Sequence, residues 1–306
     1  MIDVTILTAT YNRAHTLERL ARSIAGQAAG LAIEWLVIDD GSVDETEQLI
    51  ARLATELPIK IRYHRKENGG KHTAFNKGVA LAEGQFILTV DSDDQLHPEG
   101  LRNAMAAWKS IPAEEQPKFM GVVGLCLDQS GRVIGDKFPA DVLDSTPAET
   151  TFRYGVTGDK SGMHRTDVFR QFPFPEHRGM KFIPEGRVWM ELSDHYKTRN
   201  VNSPFVVVNL DAGGNLSVLA REQRLLGDWE YHRYMLGHQT RWACYAPFQF
   251  LKSALIYNHA RHLLRNRGGD IGGTKMSNPI GRSLILATWP LSLLLRSASA
   301  RRLIGF

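Results

Sequence analysis

Two acidic clusters in the first hundred residues are dense enough to do chemistry. Asp91-Ser92-Asp93-Asp94 places three carboxylates within four residues, directly after the apolar run 86–90. Carboxylates crowded in this way repel one another unless a cation or hydrogen-bond donors compensate. A hard divalent cation, Mn²⁺ or Mg²⁺, is the natural compensator, and such ions commonly bring phosphates with them. The competing reading is an Asp that caps the helix following Pro98. The second cluster, Asp39-Asp40-Gly41-Ser42, follows the apolar run 33–38 and alone is equally well a turn with a helix cap. Together the two clusters favour a nucleoside diphosphate and its metal.

Both clusters need a scaffold that brings them together. Residues 4–7 form a short β-branched run that ends in the polar stretch 8–12, read as a loop. Leu17, Leu20, Ala21 and Ile24 then recur at helical spacing. Residues 33–38, 59–63 and 86–90 read as further strands, with Ser42-Val43-Asp44-Glu45 spaced as a capping box before a helix that carries Leu49, Ile50 and Leu53. Asn68-Gly69-Gly70 breaks the chain before another helix. Strands alternating with helices predict an α/β fold with a parallel sheet, and ligands of such sheets bind beyond the carboxyl ends of the strands. The stretches 8–12, 39–42 and 91–94 should therefore meet on one edge.

After residue 120 the pattern changes. Residues 121–127 and 132–138 read as a β-hairpin, 186–197 as a helix, 204–210 as a strand, and the chain from Arg221 onward as helical. The 306 residues carry ordinary proportions of charged (23%) and hydrophobic (43%) residues, which excludes disorder and collagen-like repeats. Two distant cysteines, Cys126 and Cys244, make neither a disulfide framework nor a zinc site and suit a reducing compartment. The N-terminus reads as lacking a signal peptide. The net charge of +4 is uneven: residues 221–306 hold 13 Lys and Arg against 4 Asp and Glu. Such a tail suits an anionic surface, either nucleic acid or acidic lipid.

The residues that carry the clusters also carry a resemblance. VTILTATYNR, IDDGS followed by DET, NGGKHTAFNKG and GQFILTVDSDD resemble the donor half of family 2 glycosyltransferases with the GT-A fold, over about residues 1–105. KFIPEGRVW resembles, more loosely, the acceptor half of members that build bacterial polysaccharides. The resemblance implies a Rossmann-like, mostly parallel sheet flanked by helices. It divides the chain into a donor-binding half (1–120), an acceptor-binding half (121–220) and a helical extension (221–306). It also implies inverting transfer from a nucleoside-diphosphate sugar, UDP favoured, to a hydroxyl of a polysaccharide or lipid-linked acceptor, assisted by Mn²⁺ or Mg²⁺.

By the same resemblance Asp40 is the carboxylate that reads the base. An acceptor-only group suits the imide N–H of uracil or the N–H groups of guanine. Thr8 and Tyr11 fall beside the base, Lys71 near the nucleotide, Asp91 and Ser92 on the donor side, and Asp93 at the metal. Asp94 is expected to cap the next helix. Inversion needs a base that takes the proton of the acceptor hydroxyl. Glu185 falls at that place, although the commoner motif is an acid pair ending in Asp, and Glu191 and Asp194 compete. His164, His177 and His195 read as surface or core residues.

Residues 283–295 are the most apolar stretch, flanked by Arg282, Arg296, Arg301 and Arg302 and interrupted by Pro290. They are too short to span a bilayer, which takes about 20 residues. They read either as a core helix or, over 283–296, as a segment in the membrane interface, favoured by the arginines and Trp289. That reading puts the chain in the cytoplasm, peripheral on the inner face of the membrane. With basic residues spread among apolar runs and no recognition motif, nucleic acid is not expected as a partner. Rival functions are a nucleotidyltransferase, which would want a glycine-rich loop where residues 8–13 have no glycine, and an inactive nucleotide-sugar-binding protein. A nicotinamide oxidoreductase would want G-x-G-x-x-G in the first turn. The oligomeric state is not legible.

Overall fold

A computed structural model describes residues 2–27, 30–210, 221–266 and 276–294. The chain divides into two compact units. One comprises Met1–Glu176 with Leu192–Leu216, the other His177–Glu191 with Ser217–Phe306.

The apolar runs of the first unit become strands Val4–Thr10 (β1), Ile33–Asp39 (β2), Lys60–Arg65 (β3) and Phe86–Thr89 (β4), all parallel, in the order β3-β2-β1-β4. Helices Ala14–Ala25 (α1), Thr46–Glu56 (α2) and Lys71–Leu81 (α3) make the crossovers. β2 is buried along its whole length, as a strand covered on both faces must be. On α1, Leu17, Leu20, Ala21 and Ile24 are all fully buried, so the helical spacing does face the sheet. With Ile6, Trp35, Leu53 and Phe86 they join the main core. Gly78 lets α3 lie flat on β1, since a Cβ there would sit 2.2 Å from a methyl of Leu7.

Beyond β4 come Gln95–Leu96 (β5), Gly100–Lys109 (α4), Phe119–Asp128 (β6), Val142–Ser145 (β7), Pro147–Phe152 (α5), Lys160–Arg165 (β8) and Thr166–Phe169 (α6). Gly186–Leu192 (α7) and Lys197–Val208 (β9) follow. The sheet continues past β4 as β8, β6, β9 and β5, with β7 also paired to β9. β8 runs antiparallel to both β4 and β6, while β6 and β9 are parallel. Among the described residues, β1, β2, β3, β4, β6 and β9 thus point one way, and β5, β7 and β8 the other.

Several local expectations are corrected. β1 runs on to Thr10, so residues 8–10 are strand and not loop. The hairpin over 121–138 shrinks to a single bridge between Leu127 and Val133, because β6 takes β8 and β9 as its partners. The helix expected over 186–197 stops at Leu192, and β9 begins at Lys197, earlier than the strand expected at 204. The capping box at Ser42 does not form. α2 starts at Thr46, and it is Asp44 that accepts from the backbone N–H and hydroxyl of Thr46.

In the second unit, helices Arg221–His238 (α8), Pro247–Asn266 (α9) and Pro279–Leu294 (α10) confirm the helical reading of the tail. Leu225, Trp229, Leu236, Ala254 and Tyr257 form its core. α10 continues through Pro290. No helix among the described residues is long and apolar enough to cross a membrane. Arg296, Arg301 and Arg302, and the last two residues of the segment 283–296, lie outside the described residues.

Candidate active site

Parallel pairing of β2, β1 and β4 sets the three polar strand ends side by side. The joints between them are specific. Asn12, the one non-glycine residue at positive φ among the described residues, donates its backbone N–H to Ser42 Oγ and accepts from the Val43 N–H through its side chain. Asn tolerates the left-handed region because its short amide bonds locally. This clasp ties the exit of β1 to the exit of β2.

Asp40 is 4% exposed and accepts three hydrogen bonds: Lys66 Nζ at 2.7 Å and the Gly69 N–H at 2.8 Å on Oδ1, and the Gly70 N–H at 2.7 Å on Oδ2. Gly70 has φ +98°, which glycine adopts at little cost, and is the N-cap of α3. The next residue, Lys71, reaches the exit of β4, where its Nζ lies 2.7 Å from Asp91 Oδ1. Asp40, Gly70, Lys71 and Asp91 therefore form a continuous link between the two acidic clusters.

At the β4 end, Asp91, Asp93 and Asp94 offer carboxylate oxygens that all lie within 4.8 Å of one another. Ser92 is buried, and its carbonyl accepts from the Thr16 hydroxyl on α1. Arg19 donates to the Asp93 carbonyl at 2.6 Å, and Arg13 Nη1 stands 3.6 Å from Asp93 Oδ2. Asp94 does not cap the following helix. Its Oδ1 accepts from the Asn209 N–H just beyond β9, and α4 begins only at Gly100. Burial pushes the Asp94 pKa up to about 7, and Asp91 and Asp93 add to the rise. A cluster whose own charges oppose ionisation, with oxygens this close, fits a hard divalent cation.

Thr8 and Tyr11 part company. Thr8 is fully buried within β1, and its hydroxyl accepts from the Trp35 indole at 3.0 Å, so it braces the sheet. Tyr11 is half exposed just past the strand end. The strand-end hydroxyl is that of Thr10, buried and without a hydrogen-bond partner. Asn12, Arg13, Lys66 and Thr10 escaped the sequence reading. Only the first carried a signal, an Asn in a polar stretch after a strand.

Glu185 lies in the second unit, exposed, one residue before α7, and its carbonyl accepts from the Val188 N–H. Its competitors sit differently. Glu191 is paired with Arg187 at 2.6 Å, and Asp194 falls beyond the end of α7. Arg187 is buried, stacks 3.8 Å from the Tyr234 ring centroid and reaches Glu230, itself 2% exposed. Gly227 and Gly186 bring this loop against α8: a Cβ on Gly227 would meet the Phe182 carbonyl at 2.0 Å. His164 is buried and stacked on Phe169, its pKa pushed down to about 3 by burial, whereas His177 and His195 are exposed.

Residues 5–114 match the model of the family described as Glycosyl transferase family 2. The chain carries a family 2 glycosyltransferase domain. Curated relatives agree over the same region. The poly(ribitol-phosphate) beta-N-acetylglucosaminyltransferase TarS of Staphylococcus aureus is 33% identical over 107 residues, 35% of this chain and 19% of TarS. The succinoglycan biosynthesis protein ExoO of Rhizobium meliloti is 34% identical over 123 residues, 40% of this chain and 34% of ExoO. The matches thus span about a third or less of these relatives' lengths. In fold, the chain resembles the crystal structure of S. aureus TarS 1-349 in complex with UDP-GlcNAc, with a TM-score of 0.61 and 20% identity over 95% of this chain and 80% of that one. It also resembles the Pyrobaculum calidifontis mannosyltransferase PcManGT in complex with GDP-Man and Mn²⁺, with a TM-score of 0.51 and 16% identity over 99% and 83%. The fold is GT-A, and the likeness extends well past residue 114.

Proposed function

We propose that this chain is an inverting, divalent-metal-dependent glycosyltransferase that moves a sugar from a nucleoside-diphosphate sugar, UDP favoured, to a hydroxyl of a polysaccharide or lipid-linked acceptor. The observation that carries the reading is the triad of carboxylates at the β4 exit, linked through Lys71 and Gly70 to Asp40 at the β2 exit. Residues 1–120 bind the donor and 121–220 serve the acceptor, with 221–306 as an extension. Asp93, with Asp91 beside it, would hold Mn²⁺ or Mg²⁺, which when bound offsets charge on the leaving diphosphate. Asp40 keeps one acceptor site beyond its three internal bonds, enough for a single N–H of uracil. Tyr11 supplies a stacking face for the base. Lys71 and Ser92 line the diphosphate and ribose side, and Thr8 acts by holding β1. Glu185 takes the proton of the acceptor hydroxyl as that oxygen attacks the anomeric carbon and the bond to the diphosphate breaks. UDP is favoured because the solved TarS complexes hold UDP-GlcNAc and UDP.

The second unit supports a cytoplasmic protein peripheral on a membrane. α10 packs Leu284 and Ile285 against the core of the unit and still leaves a broad apolar face outside. Gly281, Thr288 and Ser292 face inward, where Asn258 donates to Thr288 Oγ1 and the Ile285 carbonyl. Ile280, Leu286, Trp289, Leu291 and Leu293 face solvent, Leu286 at 72% exposure. Arg282 is exposed on the first turn. An apolar face with a Trp and a neighbouring Arg suits the interface of an anionic bilayer.

A panel of nucleotide sugars with Mn²⁺, read by thermal shift and by the anomeric configuration of the product, tests the reading. UDP sugars are expected to stabilise the protein most and to give an inverted linkage. A retained configuration, or no response to any nucleotide sugar, contradicts it.

A further inference from the structure

One face of α8 holds the chain on both sides of Glu185. Gly227, Glu230 with Tyr231, and Tyr234 follow one another along that face at helical spacing. Before Glu185, the backbone lies directly on Gly227: a Cβ there would sit 2.0 Å from the Phe182 carbonyl and 2.8 Å from the Ile183 Cα. After it, a Cβ on Gly186 would come within 3.2 Å of the Tyr231 ring. Arg187 then turns into the unit, its side chain 9% exposed, 3.8 Å from the centre of the Tyr234 ring and 3.3 Å from Glu230. Glu230 is almost wholly buried and accepts two further bonds from Arg233, at 2.9 and 3.0 Å. The Arg187 N–H donates to the Pro184 carbonyl at 3.0 Å, so the turn that carries Glu185 is closed by the residue that Glu230 holds.

We propose that Glu230 is a positioning residue: it fixes Arg187, and through Arg187 the turn 184–187, so that Glu185 stands in place to take the proton of the acceptor hydroxyl. This rests on the assignment of Glu185 as the base. Arg187 is held by a ring and two carboxylates at once, which its fork and flat cation allow and an ammonium would not. The two carboxylates differ. Glu191 is the outer partner, a third exposed, where an ion pair adds little. Glu230 is the inner one, and a carboxylate buried between two guanidiniums permits few geometries. Precision matters here, because a general base must stand within hydrogen-bond reach of its proton and a shift of about 1 Å can cost about 10²-fold in rate. The stretch His177–Glu191 and α8 fall in the same compact unit. α8 is then part of the acceptor machinery rather than of an extension beside it.

The test is a double-variant cycle on the full chain. It is read by release of UDP, with Mn²⁺, from the UDP sugar that the panel selects, water standing in for the acceptor hydroxyl, and by UDP binding in calorimetry. Glu230→Gln is expected to bind UDP as wild type does and to lose about 10²-fold in kcat. In a chain that already carries Glu185→Gln, the same substitution should cost about twofold at most, because a residue that acts through the base has nothing left to act on. Arg187→Lys and Gly227→Ala should follow the same pattern, and they carry the cycle should Glu230→Gln not fold. Damage to the fold at large lowers the rate alike in both backgrounds and weakens UDP binding with it. Equal losses in the two backgrounds, a fall in UDP affinity, or a wild-type kcat in Glu230→Gln overturn the positioning and leave Glu185 as the base. An active Glu185→Gln, or a wild-type chain that turns over no UDP sugar, overturns the base assignment and the positioning with it.

Discussion

The Gly70 N–H donates to Asp40 Oδ2 at 2.7 Å, so the carboxylate assigned to the base is also the group that fixes the loop leading into Lys71. Asp40→Asn is therefore expected to act twice. It removes the charge that Lys66 pairs with and puts an amide in place of one carboxylate oxygen, at a cost of about 2–3 kcal/mol in a largely buried site. It also weakens UDP binding. Urea unfolding and calorimetry on one preparation check both halves, and a variant of wild-type stability and affinity would show that Asp40 does neither.

Glu185→Gln is expected to bind donor as wild type does and to lose transfer by about 10²–10⁴-fold, the usual worth of a positioned general base. Glu191→Gln should behave differently. It breaks the pair with Arg187 and lowers the melting temperature with little effect on transfer by the protein that remains folded. Steady-state kinetics with an acceptor in hand decide between them, and a dead Glu191→Gln beside an active Glu185→Gln would reverse the assignment.

Asp94 gives a pH dependence of definite sign. Its folded pKa of about 7 lies above the ordinary value of 3.8, so between about pH 4 and 7 the native state binds more protons than the unfolded one. The metal-free protein should lose stability as pH rises through that window, by no more than about 4 kcal/mol. Asp94→Asn should lack this component. Metal affinity should climb across the same range, since a ligand site must shed its protons. Melting curves at pH 4.5 and 7.5 with EDTA, wild type against Asp94→Asn, check the sign; parallel pH profiles for the two proteins would contradict it.

The outward face of α10 is expected to hold the chain on anionic vesicles. Leu286 and Leu293 are exposed, so Leu286→Glu with Leu293→Glu should leave the fold intact and abolish flotation with phosphatidylserine-containing liposomes. Salt should weaken attachment of the wild type only in part, because screening acts on arginines and not on leucines. Equal flotation of wild type and double variant would place the contact elsewhere.

The acidic edge of the sheet was legible in the sequence because its elements obey short-range rules. The spacing of Leu17, Leu20, Ala21 and Ile24 sets the buried face of α1, and apolar runs ending in acids set the exits of β2 and β4. What was missed depends on contacts between distant segments. Thr8 looked like a loop residue because Thr is at home in turns as well as strands, and the deciding partner, the Trp35 indole, is 27 residues away. Asp94 looked like a cap because caps are read locally, yet it bonds Asn209, 115 residues on. The pairing of Arg13 with Asp93 joins α1 to the β4 exit, a juxtaposition that only the parallel order of β1 and β4 creates.

The most direct measurement of the central claim is release of free nucleotide from a UDP sugar by the full chain, followed with Mn²⁺, with EDTA, and in Asp93→Asn. Release is expected to depend on Mn²⁺, to stop with EDTA, and to fall at least about 10²-fold in Asp93→Asn while the circular dichroism spectrum stays unchanged. Release that persists in EDTA, or a wild-type rate in Asp93→Asn, would contradict it.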